Sequence, residues 1–296
     1  MKKQDFLETN EFSEQQILDM MNLGVTLKAC VRADYYPPLL KKRCVTLMLP
    51  QEDIEYRLLM ETAVNQLGGY LEVANLPMEP PEALRETALL LSRSSNLAVV
   101  RCDRHETMLL LAKYSDIPII NAGSSHSLPV QEIADLITMF EHLPPEKKLD
   151  ECKAVYDGKD SPKCRSILFA TTKIGMQFVQ LCGDKNQELK PPSLKMAERN
   201  VKKSGGTYTV TDSSAEAYRG AHFLFMDAPL NTRLPPDADG VLRVDPSENL
   251  LAAFRSILTC MLYQNPAFRE PILIEKMKRM LAIKLQAIFG FGEAND

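Results

Sequence analysis

Two polar residues stand where secondary-structure elements begin or end and where they could contact a ligand. Arg101 follows the apolar run 97–100, which is typical of a buried strand, and Gln131 lies in the first turn of a helix that starts at Pro129. A guanidinium binds anions and carbonyl oxygens through several N–H groups, and a glutamine amide both donates and accepts hydrogen bonds. Arg101 and Gln131 are therefore candidates for ligand binding or catalysis.

The stretch 117–141 combines a strand, a loop and a helix. Residues 117–120 form a short apolar run, a Gly/Ser loop follows, and Pro129 suits a first helical turn because amide groups there have no partner within the helix. Apolar side chains then recur at helical spacing: Val130, Ile133, Ala134, Ile137 and Phe140. Any α/β protein can contain such a unit, but its helix N-terminus also favours a bound anion.

The composition excludes several classes of protein. Hydrophobic residues make up 45% and charged residues 25% of the chain, as in soluble globular proteins. The formal net charge of −4 argues against nucleic acid as the main partner. No apolar stretch approaches the roughly 20 residues that span a membrane, and the N-terminus lacks the apolar core of a signal peptide. The seven cysteines show no C-x-x-C spacing, so we expect a cytoplasmic protein without disulfides, metal or cofactor.

The order of predicted elements indicates an α/β protein with two domains. A capping box, Ser13 with Gln16, starts an amphipathic helix over residues 12–29. Helical patterns then alternate with strand-like runs at 44–49, 70–73, 97–100, 117–120, 153–156, 177–181, 207–211 and 222–226. Such alternation is typical of doubly wound parallel sheets, and 296 residues can form two of them, with a predicted hinge at 143–148.

The stretch 119–141 resembles the loop-and-helix signature of the aspartate and ornithine carbamoyltransferases. The matching residues are Asn121, Ala122, Pro129, Gln131, Asp135, Leu136 and Thr138. The order of elements is similar over nearly the whole chain. Arg101 matches the family arginine that touches the carbamoyl oxygen, and Asp227 ends the strand before the acceptor-binding loop.

The resemblance implies an architecture and an assembly. Residues 1–145 would form a carbamoyl-phosphate-type domain, completed by a terminal helix at about 268–296, and residues 150–265 an amino-acid-binding-type domain. Both would be doubly wound parallel-sheet domains, with a small-molecule ligand in the cleft between them. The family's first domain forms a homotrimer, so we expect a homotrimer here, with no nucleic acid or membrane as partner.

The residues that hold phosphate in the family are largely replaced. The Ser-Thr-Arg-Thr-Arg motif falls on residues 53–57, which read Asp-Ile-Glu-Tyr-Arg. Glu55 thus replaces a phosphate-binding arginine, and Arg57 matches the last arginine, which faces away from the phosphate. A charge pair about 4 Å apart is worth about 4 kcal/mol at an effective dielectric near 20, so reversing its sign costs several kcal/mol. The alternative interpretation of Asp53 and Glu55 is a solvated acidic turn at a helix start.

Other family residues are missing as well. Pro80 stands where the family has a lysine that reaches into the neighbouring subunit, and Leu128 stands where it has a histidine. The His-x-Leu-Pro turn of the second domain is absent. His126, two residues before Leu128, is a candidate to replace the missing histidine.

Two functions remain open on the sequence. In the first, the chain cannot use carbamoyl phosphate in the usual way and is a ligand-binding, regulatory or structural homologue, a possible pseudoenzyme. Its ligand would be an amino acid, a carboxylate or a ureido compound, with Arg101, Gln131, Glu55, Arg57 and Asp227 as candidate ligand-binding residues. In the second, it transfers a carbamoyl or related group to an amino acid or amine, with Arg101, Gln131 and His126 as catalytic candidates. No G-x-G-x-x-G follows a predicted strand, which disfavours a nicotinamide-dependent enzyme.

Overall fold

The computed structural model describes residues 3–50, 53–263, 279, 280 and 282, which divide into two compact units. The first unit contains the described parts of Met1–Leu7, Asp19–Ala122 and Leu251–Asp296. The second unit contains Glu8–Leu18 and Gly123–Leu250. No helix in the described part of the chain is long and apolar enough to cross a membrane.

The first unit is built around a four-stranded sheet. Its elements are α1 (Glu14–Arg32, whose first residues belong to the second unit), β1 (Cys44–Met48), α2 (Ile54–Gln66), β2 (Tyr70–Val73), α3 (Pro81–Ser94), β3 (Leu97–Arg101), α4 (His105–Tyr114) and β4 (Ile119–Gly123). The strand order is β2-β1-β3-β4, and β1 pairs in parallel with both β2 and β3. The inner strands are buried almost throughout, as their continuous apolar runs require, whereas the edge strand β2 is largely exposed.

The second unit is built around a five-stranded parallel sheet. Its elements are α5 (Pro129–Glu141), β5 (Lys153–Asp157), α6 (Pro162–Lys173), β6 (Gln177–Leu181), α7 (Pro191–Ser204), β7 (Thr207–Thr211), α8 (Ser214–Tyr218), β8 (Phe223–Met226) and β9 (Leu242–Arg243). The last described helix, α9 (Leu250–Leu262), belongs to the first unit except for Leu250. The strand order is β7-β6-β5-β8-β9, and β5 pairs in parallel with both β6 and β8.

In each sheet the strand order reverses beside the first strand, which confirms the predicted doubly wound parallel fold. The reversal lies between β1 and β3 in the first unit and between β5 and β8 in the second. Connections leave such a pair of strands in opposite directions and open a crevice at their carboxyl ends. Arg101 ends β3, and Asp227 directly follows β8, so each reversal point carries one residue predicted for the site.

Several local predictions are confirmed and others need correction. Strands β2, β6 and β7 have the predicted bounds, and α5 begins at Pro129 as predicted. The predicted capping box also forms: Gln16 N donates to Ser13 Oγ at 3.2 Å, and Ser13 N donates to Gln16 Oε1 at 2.9 Å. Helix α1 begins and ends later than predicted, because Ser13 is its cap and the first left-handed residue comes only at Asp34, with φ of 53°.

Two predictions concern the larger organisation of the chain. Helix α5 belongs to the second compact unit, whereas the division inferred from the resemblance puts it in the first domain; that division, 1–145 and 150–265, stays a prediction. The terminal helix predicted at about 268–296 lies almost entirely outside the described residues.

Candidate functional site

The strand-order reversal of the first sheet holds an ion pair. Arg101 is the last residue of β3, and Asp53 precedes α2 on the connection that leaves β1. The Nε atom of Arg101 lies 3.1 Å from Oδ2 of Asp53, with 34% of the arginine side chain and 18% of the aspartate side chain exposed. The guanidinium therefore remains accessible, but a carboxylate of the same unit already lies beside it.

Tyr56 orients this guanidinium. The Cζ atom of Arg101 lies 4.3 Å from the centroid of the Tyr56 ring, a cation–π contact, and Tyr56 packs edge to face on Phe254 with the ring centroids 5.6 Å apart. Burial raises the pKa of the Tyr56 hydroxyl, and the positive charge of Arg101 partly opposes that rise. Tyr56 is thus a neutral, fixed platform for the arginine.

The two carboxylates of the acidic turn before α2 have different surroundings. Glu55 is exposed, and the acidic partner of Arg101 is Asp53. Arg57 points to the helix surface, where its Nε lies 3.0 Å from Oε1 of Glu61, one turn further on. Asp53 and Tyr56 were not among the predicted site residues, although their spacing of three residues at a helix start places both at one end of α2.

The loop before α5 is held by hydrogen bonds within the second unit. Arg165 donates to the carbonyl oxygens of Ser125 at 2.9 Å and His126 at 3.3 Å. Leu128 N donates to Ser166 Oγ at 2.9 Å. The half-exposed His126 side chain has its Nε2 atom 3.3 Å from an oxygen of Glu8. Its role as a substitute catalytic histidine stays a prediction.

Gln131 is buried, and its amide group is engaged within the second unit. Its Nε2 atom donates to Oδ1 of Asp135 at 2.8 Å and to the carbonyl oxygen of Pro246 at 2.7 Å. Since both N–H groups have protein acceptors, the group that Gln131 can offer to a ligand is its carbonyl oxygen.

Helix α5 buries two carboxyl groups on its inner face. Burial raises the pKa of Glu132 to about 8; the hydroxyl groups of Thr9 and Ser166 oppose this rise, and the charges of Glu8 and Asp135 add to it. Thr9 Oγ1 donates a hydrogen bond to Oε2 of Glu132. The protonated form of Glu132 therefore predominates at neutral pH.

The carboxyl group of Asp135 also has a raised pKa. Burial raises its pKa to about 7, while the hydrogen bond from Gln131 and the positive charge of Lys163 lower it. Among the described residues, one carboxyl oxygen of Asp135 and one of Glu132 have no hydrogen-bond partner. Neither acid was among the predicted site residues, because an acidic residue on a helix is exposed in most sequences.

Asp227 lies at the strand-order reversal of the second sheet. The hydroxyl of Tyr156 donates to Oδ1 of Asp227 and lies 3.0 Å from Oγ of Ser161. Burial and this hydrogen bond raise the pKa of Tyr156. Gly158 makes the approach possible, since a Cβ atom at this position would clash with Oδ2 of Asp227. In the described part of the chain, no group of three His, Cys, Asp or Glu side chains could hold a metal ion.

Fold and site residues together define a class: a two-unit α/β protein with polar side chains at the strand-order reversal of each parallel sheet, where such proteins bind small molecules. The family profile described as "Aspartate/ornithine carbamoyltransferase, carbamoyl-P binding domain" matches residues 4–141. An ornithine carbamoyltransferase of Caldicellulosiruptor saccharolyticus is 31% identical over 225 residues, which are 75% of this chain and 72% of that protein. The chain belongs to the aspartate/ornithine carbamoyltransferase family.

Two further relatives show the range of the similarity. A putrescine carbamoyltransferase of Mycoplasma mycoides subsp. mycoides is 30% identical over 237 residues, which are 76% of this chain; the match spans 64% of that relative's length. The structure of ornithine carbamoyltransferase from Pyrococcus furiosus superposes with a TM-score of 0.76 at 22% identity, covering 86% of this chain and 96% of that chain. This structural likeness supports the fold.

We expect Gly158→Ala to displace the Asp227 carboxylate and to lower the free energy of unfolding by about 1–3 kcal/mol, as overpacking does. The new Cβ atom would also lie 2.9 Å from Cε1 of Tyr156, so the hydrogen bond between Tyr156 and Asp227 would be strained. Urea unfolding measures the loss. Gly183→Ala is the control, because no atom lies within 4 Å of its Cβ position. Equal effects of the two changes would contradict this role of Gly158.

We expect Glu132→Gln to change how stability depends on pH. The folded-state pKa of about 8 exceeds the ordinary value of 4.5, so this group's contribution is complete below pH 4.5 and is lost as the pH rises through 8. The loss is several kcal/mol, since one pKa unit corresponds to about 1.4 kcal/mol. Urea unfolding from pH 5 to 9 should give a flatter profile for Glu132→Gln than for wild type. Glu61→Gln, on the surface of α2, is the matched control, and a wild-type slope in Glu132→Gln would refute the assignment.

Proposed function

We propose that this family member does not use carbamoyl phosphate in the usual way and binds a small, weakly charged ligand instead, such as an amino acid, a carboxylate or a ureido compound. The observation that carries the proposal is the charge at the start of α2. Asp53 and Glu55 stand where the resemblance places phosphate-binding groups, and Asp53 is already paired with Arg101 at 3.1 Å. A dianion at this helix start would meet two carboxylates.

The surroundings of Pro80 support the same proposal. Pro80 lines an open pocket of about 480 Å³ within the first unit. Arg104 lines the same pocket, but its Nη1 atom lies 2.6 Å from Oε1 of Glu79, so its charge is balanced there. Arg104 is thus a poor substitute for the lysine that the resemblance places at position 80.

The alternative is an active transferase with an amino-acid or amine acceptor. The names of two relatives favour it, since proteins named ornithine and putrescine carbamoyltransferase are 31% and 30% identical to this chain. In this alternative, the catalytic candidates are Arg101 in the first unit and Gln131 and His126 in the second, with His126 as the replacement histidine. Asp227, fixed by Tyr156, would contact the acceptor. Either function suits a cytoplasmic protein.

Calorimetric titration of the purified protein separates the two functions. We expect no binding of carbamoyl phosphate below millimolar concentrations at physiological salt, and micromolar to millimolar binding of an amino acid or a ureido acid. Arg101→Ala should abolish binding of any such ligand, whereas Arg93→Ala, which removes an exposed arginine on α3, should leave it unchanged. Micromolar affinity for carbamoyl phosphate, or formation of citrulline, carbamoyl-aspartate or carbamoyl-putrescine, would refute the first function and support the second.

We also propose that the chain forms a homotrimer through the first unit. Leu76 and Met78, in the apolar segment before α3, pack against the core of their own unit. Exposed apolar side chains lie instead on α2 and the edge strand β2: Ile54 at 64%, Leu58 at 57%, Tyr70 at 65% and Val73 at 48% exposure. In the described part of the chain no strand pairs with the outer edge of β2, and an exposed apolar surface beside such an edge is typical of an interface between chains.

Light scattering should give a mass of about 100 kDa, three times the chain mass of 33.3 kDa. We expect Leu58→Glu to dissociate the assembly, because the change would bury a charge in an apolar interface. Leu90→Glu is the matched control, since Leu90 is also exposed, at 50%, but lies on α3. A wild-type chain that stays monomeric at micromolar concentration would contradict the proposal.

A further inference from the structure

We propose that Asp53 determines the specificity of the Arg101 site: its carboxylate acts as a built-in ligand of the guanidinium and excludes multiply charged anions such as phosphate, which would otherwise bind there. This proposal rests on the proposed function and identifies the side chain responsible for it. Its consequence is that removal of one carboxylate should allow the chain to bind phosphate.

The cation has the properties of an anion-binding group. Arg101 stands at the strand-order reversal, its guanidinium is fixed over the Tyr56 ring at 4.3 Å, and Phe254 supports that ring from the side. A third of the arginine side chain is exposed, so a ligand can reach it. A fixed planar guanidinium loses little conformational freedom when it binds a carboxylate or phosphate, and it can offer two parallel hydrogen bonds.

The position of Asp53 is also informative. An aspartate directly before a helix usually accepts a hydrogen bond from an amide of the first turn. The Asp53 side chain accepts no such bond from α2, and its Oδ2 atom lies beside Arg101 instead. The positive end of the α2 dipole and the guanidinium of Arg101 both attract negative charge. In the wild-type chain, the carboxylate of Asp53 supplies that charge.

The competing interpretation is an ordinary structural ion pair with no bearing on ligands. The first unit contains such a pair for comparison, Arg57 with Glu61 at 3.0 Å. That pair lies one turn apart on the surface of α2, with more than half of the arginine side chain exposed. Removal of Glu61 frees an arginine on the same helix and is therefore the matched control for removal of Asp53.

The experiment measures the binding of inorganic phosphate and of carbamoyl phosphate by calorimetry at constant ionic strength. The proteins are wild type, Asp53→Ala, Asp53→Asn, Glu61→Ala and the double variant Asp53→Ala with Arg101→Ala. We expect Asp53→Ala to bind phosphate at least tenfold more tightly than wild type, a difference of about 1.4 kcal/mol. Asp53→Asn, which keeps the shape of the side chain, should show a smaller gain. Glu61→Ala should match wild type, and the double variant should lose the gain.

Three results would overturn the proposal: no gain in either folded Asp53 variant, an equal gain in Glu61→Ala, or a gain that survives the loss of Arg101. Circular dichroism and thermal melting establish that each variant is folded, and Asp53→Asn provides a second measurement if Asp53→Ala is unstable. The proposed function fails in a different way, through micromolar carbamoyl phosphate binding by wild type, so the two failures can be told apart.

Discussion

The reversal of strand order within each parallel sheet is the constraint on which the rest of the structure depends. Because β1 lies between β2 and β3, and β5 between β6 and β8, the connections diverge and leave the strand ends accessible. Arg101 and Asp227 lie at these two points. The buried strands can contain little besides apolar residues, so the polar candidate residues lie at the strand ends and in the loops and helix starts that follow them.

A second feature is that the candidate residues already have protein partners. Arg101 pairs with Asp53, Gln131 donates to Asp135 and to a backbone carbonyl, and Asp227 accepts from Tyr156. A buried polar group such as Gln131 needs such partners in the absence of a ligand. A ligand must therefore interact with these side chains more favourably than their internal partners do. A neutral or singly charged molecule can do so by hydrogen bonding, whereas a dianion must also overcome the repulsion of the acidic groups.

The sequence by itself determined the secondary structure and the family. Apolar runs of about five residues and helical periodicities specify the strands and helices, because burial on one or both faces imposes their spacing. Ser13 and Pro129 fix two helix starts through purely local chemistry. The signature around Gln131 carries the resemblance that the comparisons confirm. Local sequence patterns were sufficient to predict these features, because each pattern lies within one helix or strand and the residues that flank it.

Only the tertiary structure decided which charges meet. Asp53 and Glu55 are equivalent acidic residues in the sequence, but the direction of α2 places Asp53 beside Arg101 and leaves Glu55 in solvent. Glu132 and Asp135 look like surface acids, and packing of α5 buries both and raises the pKa of each. Residues far apart in the chain meet through the packing of whole elements. No local pattern encodes that geometry, and so the charge of the site could not be predicted from the sequence.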